Sequence, residues 1–176
     1  MHMPTHILAL RSVRAATLQI PGADPWRANP KDPAVLVMTD FRERPSVTVS
    51  ELSTIDAALE HMKHAGVRSA FATDSAAGAV IGMITAYDIL GEKPMRLMQA
   101  IATPRSEVLV RDIMQSIGEW KVVDIEDVQR ATVASVAQLF TDSELSHVPV
   151  METAAGGERR LRGLLSAARV KRLLAV

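Results

Sequence analysis

The chain has 176 residues, of which 48% are hydrophobic, and its acidic and basic residues balance to a formal net charge of zero. It is long enough to bury a core, as one domain or two small ones, while the zero charge argues against broad electrostatic capture of nucleic acid. The absence of cysteine excludes disulfides, thiolate nucleophiles and cysteine metal sites. Because no apolar run could span a bilayer and no signal segment is visible, we expect a cytoplasmic protein without a membrane partner.

The first half of the chain is predicted to be an irregular arm followed by a β-α-β-β-α unit. Residues 1–34 are rich in proline and glycine, which is typical of an arm. Residues 35–92 then contain a strand at 46–49, a helix capped by Ser53, a strand at 67–73, a turn and a strand at 79–84. From Thr85 the pattern becomes helical again.

The second half repeats this order after a helical connector at residues 93–109. Residues 110–176 contain a strand at Val122 and Val123, a helix at 132–142, strands at 145–151 and 161–165, and a last helix. The lead-in at 110–114 resembles the one at 35–38.

Fixed separations show that the two halves are copies of each other. Gly82 and Gly163 lie 81 positions apart, as do Thr85 and Ser166. Earlier positions match at a separation of 78, and the difference of three falls in the turn after the middle strand. An internal duplication indicates that function belongs to the surfaces between the copies.

The repeated unit resembles the CBS domain (cystathionine-β-synthase type), and the pair resembles a Bateman module. The matching segments are 82–89, 112–114 and 145–150. The resemblance implies an α+β fold in which two CBS domains pack as one pseudo-twofold module, with the first helix of each copy near the shared interface. It also implies a homodimer.

The strand-to-helix turn from Thr85 to Asp88 carries the chemistry that the resemblance implies. Family members that bind adenine nucleotides use a Thr/Ser-x-x-Asp turn whose carboxylate holds the ribose hydroxyls. An ionised carboxylate can accept hydrogen bonds from two vicinal hydroxyls at once. The same spacing is also a helix capping box, which needs no ligand, and both interpretations stay open.

The second copy departs from this pattern because Arg169 stands where the carboxylate belongs. An arginine cannot accept hydrogen bonds, so this half is predicted to have lost ribose recognition. Arg169 either extends into solvent or pairs with Asp142 or Glu144, or together with Ser166 it forms a second anion site.

The resemblance further implies that each cleft combines a ribose turn from one copy with backbone from the other. The predicted ligand site joins Thr85 and Asp88 to residues of the second copy and to a phosphate-facing arginine. These additional residues are Val122, Val123, Leu145, Ser146, His147 and Arg68. Arg68 could equally be an ordinary strand-edge cation, and Phe71 replaces the usual proline of the family.

We therefore predict a regulatory, non-catalytic module of signal transduction that binds AMP, ADP or ATP, or a related ligand such as S-adenosylmethionine. It would require no cofactor and act on a separate protein target. The alternative is a protein-interaction or oligomerisation module with decayed nucleotide sites. An enzyme is disfavoured because no nucleophile or acid–base pair can be assembled. His61 and His64 could share a metal, but without a third ligand an exposed helix face is favoured and no metal site is predicted.

Overall fold

The computed structural model describes residues 27–174, so most of the predicted arm, residues 1–26, lies outside the described part. The strands are β1 (Thr39–Asp40), β2 (Thr48–Ser50), β3 (Ser69–Thr73), β4 (Val80–Thr85), β5 (Gln115–Ser116), β6 (Val123–Asp124), β7 (His147–Thr153) and β8 (Arg159–Ser166). The α-helices are α1 (Ile55–His64), α2 (Ala86–Leu90), α3 (Lys93–Ile101), α4 (Val110–Ile113), α5 (Ile125–Arg130), α6 (Val133–Asp142) and α7 (Ala167–Leu174). None of these described helices is long and apolar enough to cross a membrane.

The predicted β-α-β-β-α order is present in both copies, and the α+β fold is confirmed. Two details differ from expectation. The hydroxyl that caps α1 is that of Thr54, not Ser53, since Thr54 accepts a hydrogen bond from the Ala57 amide. In the second copy, the short helix α5 precedes α6 and was not predicted, because a six-residue helix offers too few turns for a clear apolar period.

Each sheet takes its fourth strand from the other half of the chain. One sheet has the order β2-β3-β4-β5, and the other has the order β1-β8-β7-β6. Thus β5, which follows the second lead-in, pairs with first-copy β4, while β1 pairs with second-copy β8. Both added strands run antiparallel to their neighbours, and their registers are equivalent: Gly82 faces Ser116, and Gly163 faces Asp40. The exchange gives the pseudo-twofold arrangement that the duplication predicts.

Two glycines allow this exchange of edge strands between the halves of the chain. A Cβ on Gly82 would lie 2.7 Å from the carbonyl oxygen of Gln115, and a Cβ on Gly163 would lie 2.6 Å from that of Thr39. Contacts this short involve backbone atoms that a side-chain rotation cannot move. Glycine is therefore required at both positions by the approach of a neighbouring strand.

The described residues before β1 also belong structurally to the second copy. The Ala28 amide donates to the Leu173 carbonyl at 2.9 Å, and the Ala34 amide donates to the Ala131 carbonyl at 3.0 Å. Ala34 and Val37, in a short 3-10 helix, are fully buried among apolar residues of α5, α6 and α7. This segment completes the second-copy core in the same way that α4 completes the first.

An ion-pair network centred on Arg162 fixes β1 to β8. The guanidinium of Arg162 hydrogen-bonds the Asp40 carboxylate and lies 3.3 Å from a carboxylate oxygen of Glu152, which also pairs with Arg42 at 2.7 Å. The hydrogen bond from Arg162 holds the pKa of Asp40 below its ordinary value of 3.8. Because the Arg162 side chain is only 12% exposed, this network is screened by water less than an ordinary surface pair.

The two sheets face each other through a small apolar layer, and the helices cover their outer faces. On β3, Phe71 points into this layer, whereas Ala70 and Ala72 point into the core formed with α1. The Phe71 ring packs edge-on against Phe41 at 5.5 Å between centroids. The expectation that the first helix of each copy lies near the shared interface is therefore wrong, because α1 and α6 pack on the sheet faces that carry the separate cores.

We predict that Gly82→Ala and Gly163→Ala each lower the free energy of unfolding by about 1–3 kcal/mol, because the added methyl group overlaps backbone of the exchanged strand. Chemical denaturation monitored by circular dichroism measures the loss. Gly118→Ala is the matched control, since a Cβ there meets nothing within 4 Å. Equal stability of Gly82→Ala and Gly118→Ala would contradict the argument.

Candidate functional site

Two clefts lie between the copies, and each contains the strand-to-helix turn of one copy. The first, which we call the Asp88 cleft, has a volume of about 750 Å³ and contains Thr85 and Asp88. The second, which we call the Arg169 cleft, has a volume of about 550 Å³ and contains Ser166 and Arg169. Both volumes are in the range of small-molecule sites.

The Asp88 carboxylate is held in place by its own turn. One oxygen, Oδ2, accepts hydrogen bonds from the Thr85 amide at 2.8 Å and the Thr85 hydroxyl at 2.6 Å, while the Asp88 amide donates back to that hydroxyl. This reciprocal pair is a capping box at the start of α2. The capping role that the spacing indicated is therefore present.

The other oxygen of Asp88 faces a lysine at the start of α3. Lys93 Nζ lies 2.5 Å from Asp88 Oδ1, and the Asp88 side chain is 17% exposed. A carboxylate offers about four acceptor positions, so these partners leave capacity for a further donor. The turn thus presents a pre-oriented acceptor at the cleft.

Helix α3 supplies residues of this cleft that the sequence analysis missed. Lys93, Arg96, Leu97 and Ala100 all line the cleft. They recur at intervals of three, four and seven residues, which places them on one face of a helix. This spacing, directly after the Thr85–Asp88 turn, was the available signal.

The second copy contributes the residues around the start of β7. Leu145, Ser146 and His147 line the Asp88 cleft, together with Gln115 of the exchanged strand β5. The structure therefore brings these predicted residues to Thr85 and Asp88, as the resemblance implied. Their role in ligand binding stays a prediction.

Three other predicted residues lie elsewhere. Val122 is 41% exposed, and Val123 packs against the second-copy core; neither lines a described cleft. Arg68 lines the Arg169 cleft, so the structure separates it from Asp88. Arg68 directly precedes β3, and its carbonyl oxygen accepts a hydrogen bond from the Ala86 amide at 2.8 Å.

The two clefts differ in charge. The lining of the Asp88 cleft includes the cations Lys93 and Arg96 and four carboxylates, namely Asp88, Asp112, Glu119 and Glu144. Among the described residues, the lining of the Arg169 cleft includes three arginines and no carboxylate. Because the charged side chains that line the two clefts differ in this way, the clefts favour ligands of different charge.

His147 lines both clefts and is only 8% exposed. Its Nδ1 lies 3.0 Å from the Ser146 hydroxyl, and its backbone pairs with Ser166 across the sheet. Burial lowers the pKa of His147 below its ordinary value of 6.5, while attraction to Asp88 opposes part of that shift. The imidazole is therefore neutral at pH 7.

Outside the clefts, His61 and His64 are exposed on α1, and within residues 27–174 no group of three or more metal-ligating side chains occurs.

We predict that Asp88→Asn lowers the pKa of His147 further, because it removes the charge that favours the imidazolium. Long-range nitrogen–proton NMR titration of the ring measures this, with Glu144→Gln as a control for an exposed carboxylate of the same cleft. Since the folded pKa lies below the unfolded value, the contribution of His147 to the free energy of unfolding is present above pH 6.5 and is lost as the pH falls. A higher pKa in Asp88→Asn would refute the assigned attraction.

Comparison with known proteins places the fold. The CBS domain family matches residues 37–94. None of the curated proteins is significantly similar in sequence to this chain. Among solved structures, the CBS-pair protein CBSX2 from Arabidopsis thaliana is 21% identical, with a TM-score of 0.50, covering 82% of this chain and 94% of that one.

Two further structures have the same fold. A structure of CBSX2 in complex with AMP is 23% identical, with a TM-score of 0.52, covering 77% of this chain and 90% of that one. A CBS-domain containing protein from Agrobacterium tumefaciens is 19% identical, with a TM-score of 0.54, covering 89% of this chain and 98% of that one. A CBS domain therefore occupies residues 37–94, and the described part of the chain has the α+β fold of a tandem CBS-domain protein, the Bateman module.

Proposed function

We propose that this protein is a non-catalytic regulatory module that senses an adenosyl ligand in the Asp88 cleft and transmits its occupancy to a separate protein target. The observation that carries the proposal is the Asp88 carboxylate, oriented by its capping box at a cleft of about 750 Å³. A ribose diol presents two vicinal donors to such a group. The complex of CBSX2 with AMP, which shares the fold, supports this class of ligand.

The charge of the cleft favours ligands that carry little negative charge. Lys93 and Arg96 can face one phosphate group, but the four carboxylates around them oppose a longer phosphate chain. We therefore expect AMP or the cationic S-adenosylmethionine to bind more tightly than ADP or ATP. We propose no cofactor and no nucleic-acid partner, and we place the protein in the cytoplasm.

In a thermal-shift panel of AMP, ADP, ATP and S-adenosylmethionine, a true ligand at one hundred times its Kd should add about 2.7 kcal/mol to the free energy of unfolding. Asp88→Ala should remove most of this gain, because the carboxylate proposed to hold the diol is lost. Asp88→Asn should give an intermediate loss, since one acceptor remains without the charge. Isothermal calorimetry then measures affinity and stoichiometry, with one nucleotide per chain expected.

Two controls separate binding from stability. Asp74→Ala removes a carboxylate that accepts backbone hydrogen bonds in the turn after β3, outside the cleft, and should leave affinity unchanged. Arg169→Ala should also change little at the Asp88 cleft. Two equivalent nucleotides per chain, or unchanged affinity in Asp88→Ala, would contradict the assignment. If no panel member binds the wild type, Thr85 and Asp88 serve only as a helix cap.

A second candidate function, a protein-interaction or oligomerisation module, is favoured by exposed apolar side chains on α2 and α3. Tyr87 is 56% exposed, Leu90 is 69% exposed and Met95 is 54% exposed. Exposed groups of this size mark association surfaces when they are contiguous. We propose that α2 contributes to a homodimer, as the resemblance implies.

Sedimentation velocity tests this surface. The wild type should sediment as a dimer, and Leu90→Ser should shift it towards the monomer by removing apolar area from the interface. Ile117→Ser, at a similarly exposed residue outside α2 and α3, is the control and should leave the dimer intact. A wild type that stays monomeric throughout the concentration range would exclude the homodimer.

A further inference from the structure

The Arg169 cleft has the composition of an anion site. Within residues 27–174, three arginines line it, and no aspartate or glutamate of these residues does. The hydroxyls of Ser46, Ser69 and Ser166 also line it and can donate hydrogen bonds. Positive charge concentrated in this described lining favours an anionic occupant.

The arginines approach the cleft from both copies. Arg68 directly precedes β3 in the first copy, and Arg169 and Arg172 lie on α7 in the second. The two helical arginines are three positions apart, which places them on the same face of α7. Guanidinium groups from two directions can surround a ligand, whereas a single basic helix face cannot.

Two of these arginines form no ion pair with a described carboxylate. Among residues 27–174, no carboxylate lies within ion-pair distance of Arg68 or Arg172. Arg130, on the surface of α5, is by contrast paired with Asp127 at 2.9 Å. Arg68 and Arg172 therefore differ from the solvated ion pairs of this protein.

The strand-to-helix turn of this cleft lacks the carboxylate that would hold a ribose diol. Arg169 occupies the position equivalent to Asp88, and a guanidinium has donors but no acceptor for a diol. Its planar donors instead match two oxygens of a phosphate group. Recognition must therefore depend on the charge and oxygen atoms of the ligand.

We propose that the Arg169 cleft binds a compact anion with two or more linked phosphate groups, independently of any ribose, through Arg68, Arg169 and Arg172. This inference goes beyond the proposed nucleotide site and does not depend on it. One chain would then carry two sites of different chemistry, one for an adenosyl group and one for a polyphosphate.

Calorimetry with inorganic pyrophosphate and tripolyphosphate, in EDTA to exclude metal bridging, tests this proposal. We expect one pyrophosphate per chain, with an affinity that falls steeply as salt increases and that exceeds the affinity for sulfate at least tenfold. Arg68→Gln and Arg169→Gln should each weaken binding at least tenfold, and Arg68→Lys should recover part of the loss. Arg130→Gln is the matched control and should bind as the wild type does.

The outcomes distinguish the two sites. Pyrophosphate binding that survives Arg68→Gln and Arg169→Gln, in variants with unchanged circular dichroism spectra, would overturn the proposal, as would no binding to the wild type. Loss of pyrophosphate binding in Asp88→Ala but not in the arginine variants would also overturn it, by assigning the anion to the other cleft. AMP affinity, measured separately, tests the Asp88 cleft, and its failure leaves the pyrophosphate result interpretable.

Discussion

The close approach of two strands at Gly82 and Gly163 is the constraint on which the rest of the structure depends. At each glycine, the backbone of the other half comes within a distance that no side chain tolerates. Because β5 pairs with β4 at Gly82, its residue Gln115 lines the Asp88 cleft. Because β1 pairs with β8 at Gly163, its residue Thr39 lines the Arg169 cleft. The clefts are therefore products of the exchange, and neither copy could form one alone.

On this symmetric scaffold, a few substitutions give the two clefts different chemistry. The turn that holds Asp88 in one copy holds Arg169 in the other, at equivalent points of the fold. Helix α3 adds Lys93 and Arg96 to the first cleft only, since it belongs to the connector and is present once. Duplication thus preserved the geometry while the charges diverged, and His147 lies where the two environments meet.

The sequence predicts the local features of this protein well and its non-local ones poorly. The repeat and its apolar periods predict the order of elements, the turn at Thr85 and its capping box, because these depend on neighbours within a few residues. The partner of β1 could not be predicted, since a two-residue strand carries no pattern that identifies β8. Arg68 lies in the Arg169 cleft and Val123 packs against the second-copy core, unlike the placement that the family resemblance implied, because the cleft that a residue lines depends on tertiary packing rather than on its sequence neighbours.

The exchange also has a consequence for the chain as it is synthesised. Asp40 and its partner Arg162 are 122 positions apart, and the free edge of β4 gains β5 only when residues 115 and 116 have emerged from the ribosome. Until then the nascent first copy presents an unpaired strand edge, which is a template for pairing with other chains. The first sheet can be completed only after residue 116 has emerged and the second only after residue 166, so unpaired strand edges persist through much of the synthesis of this module.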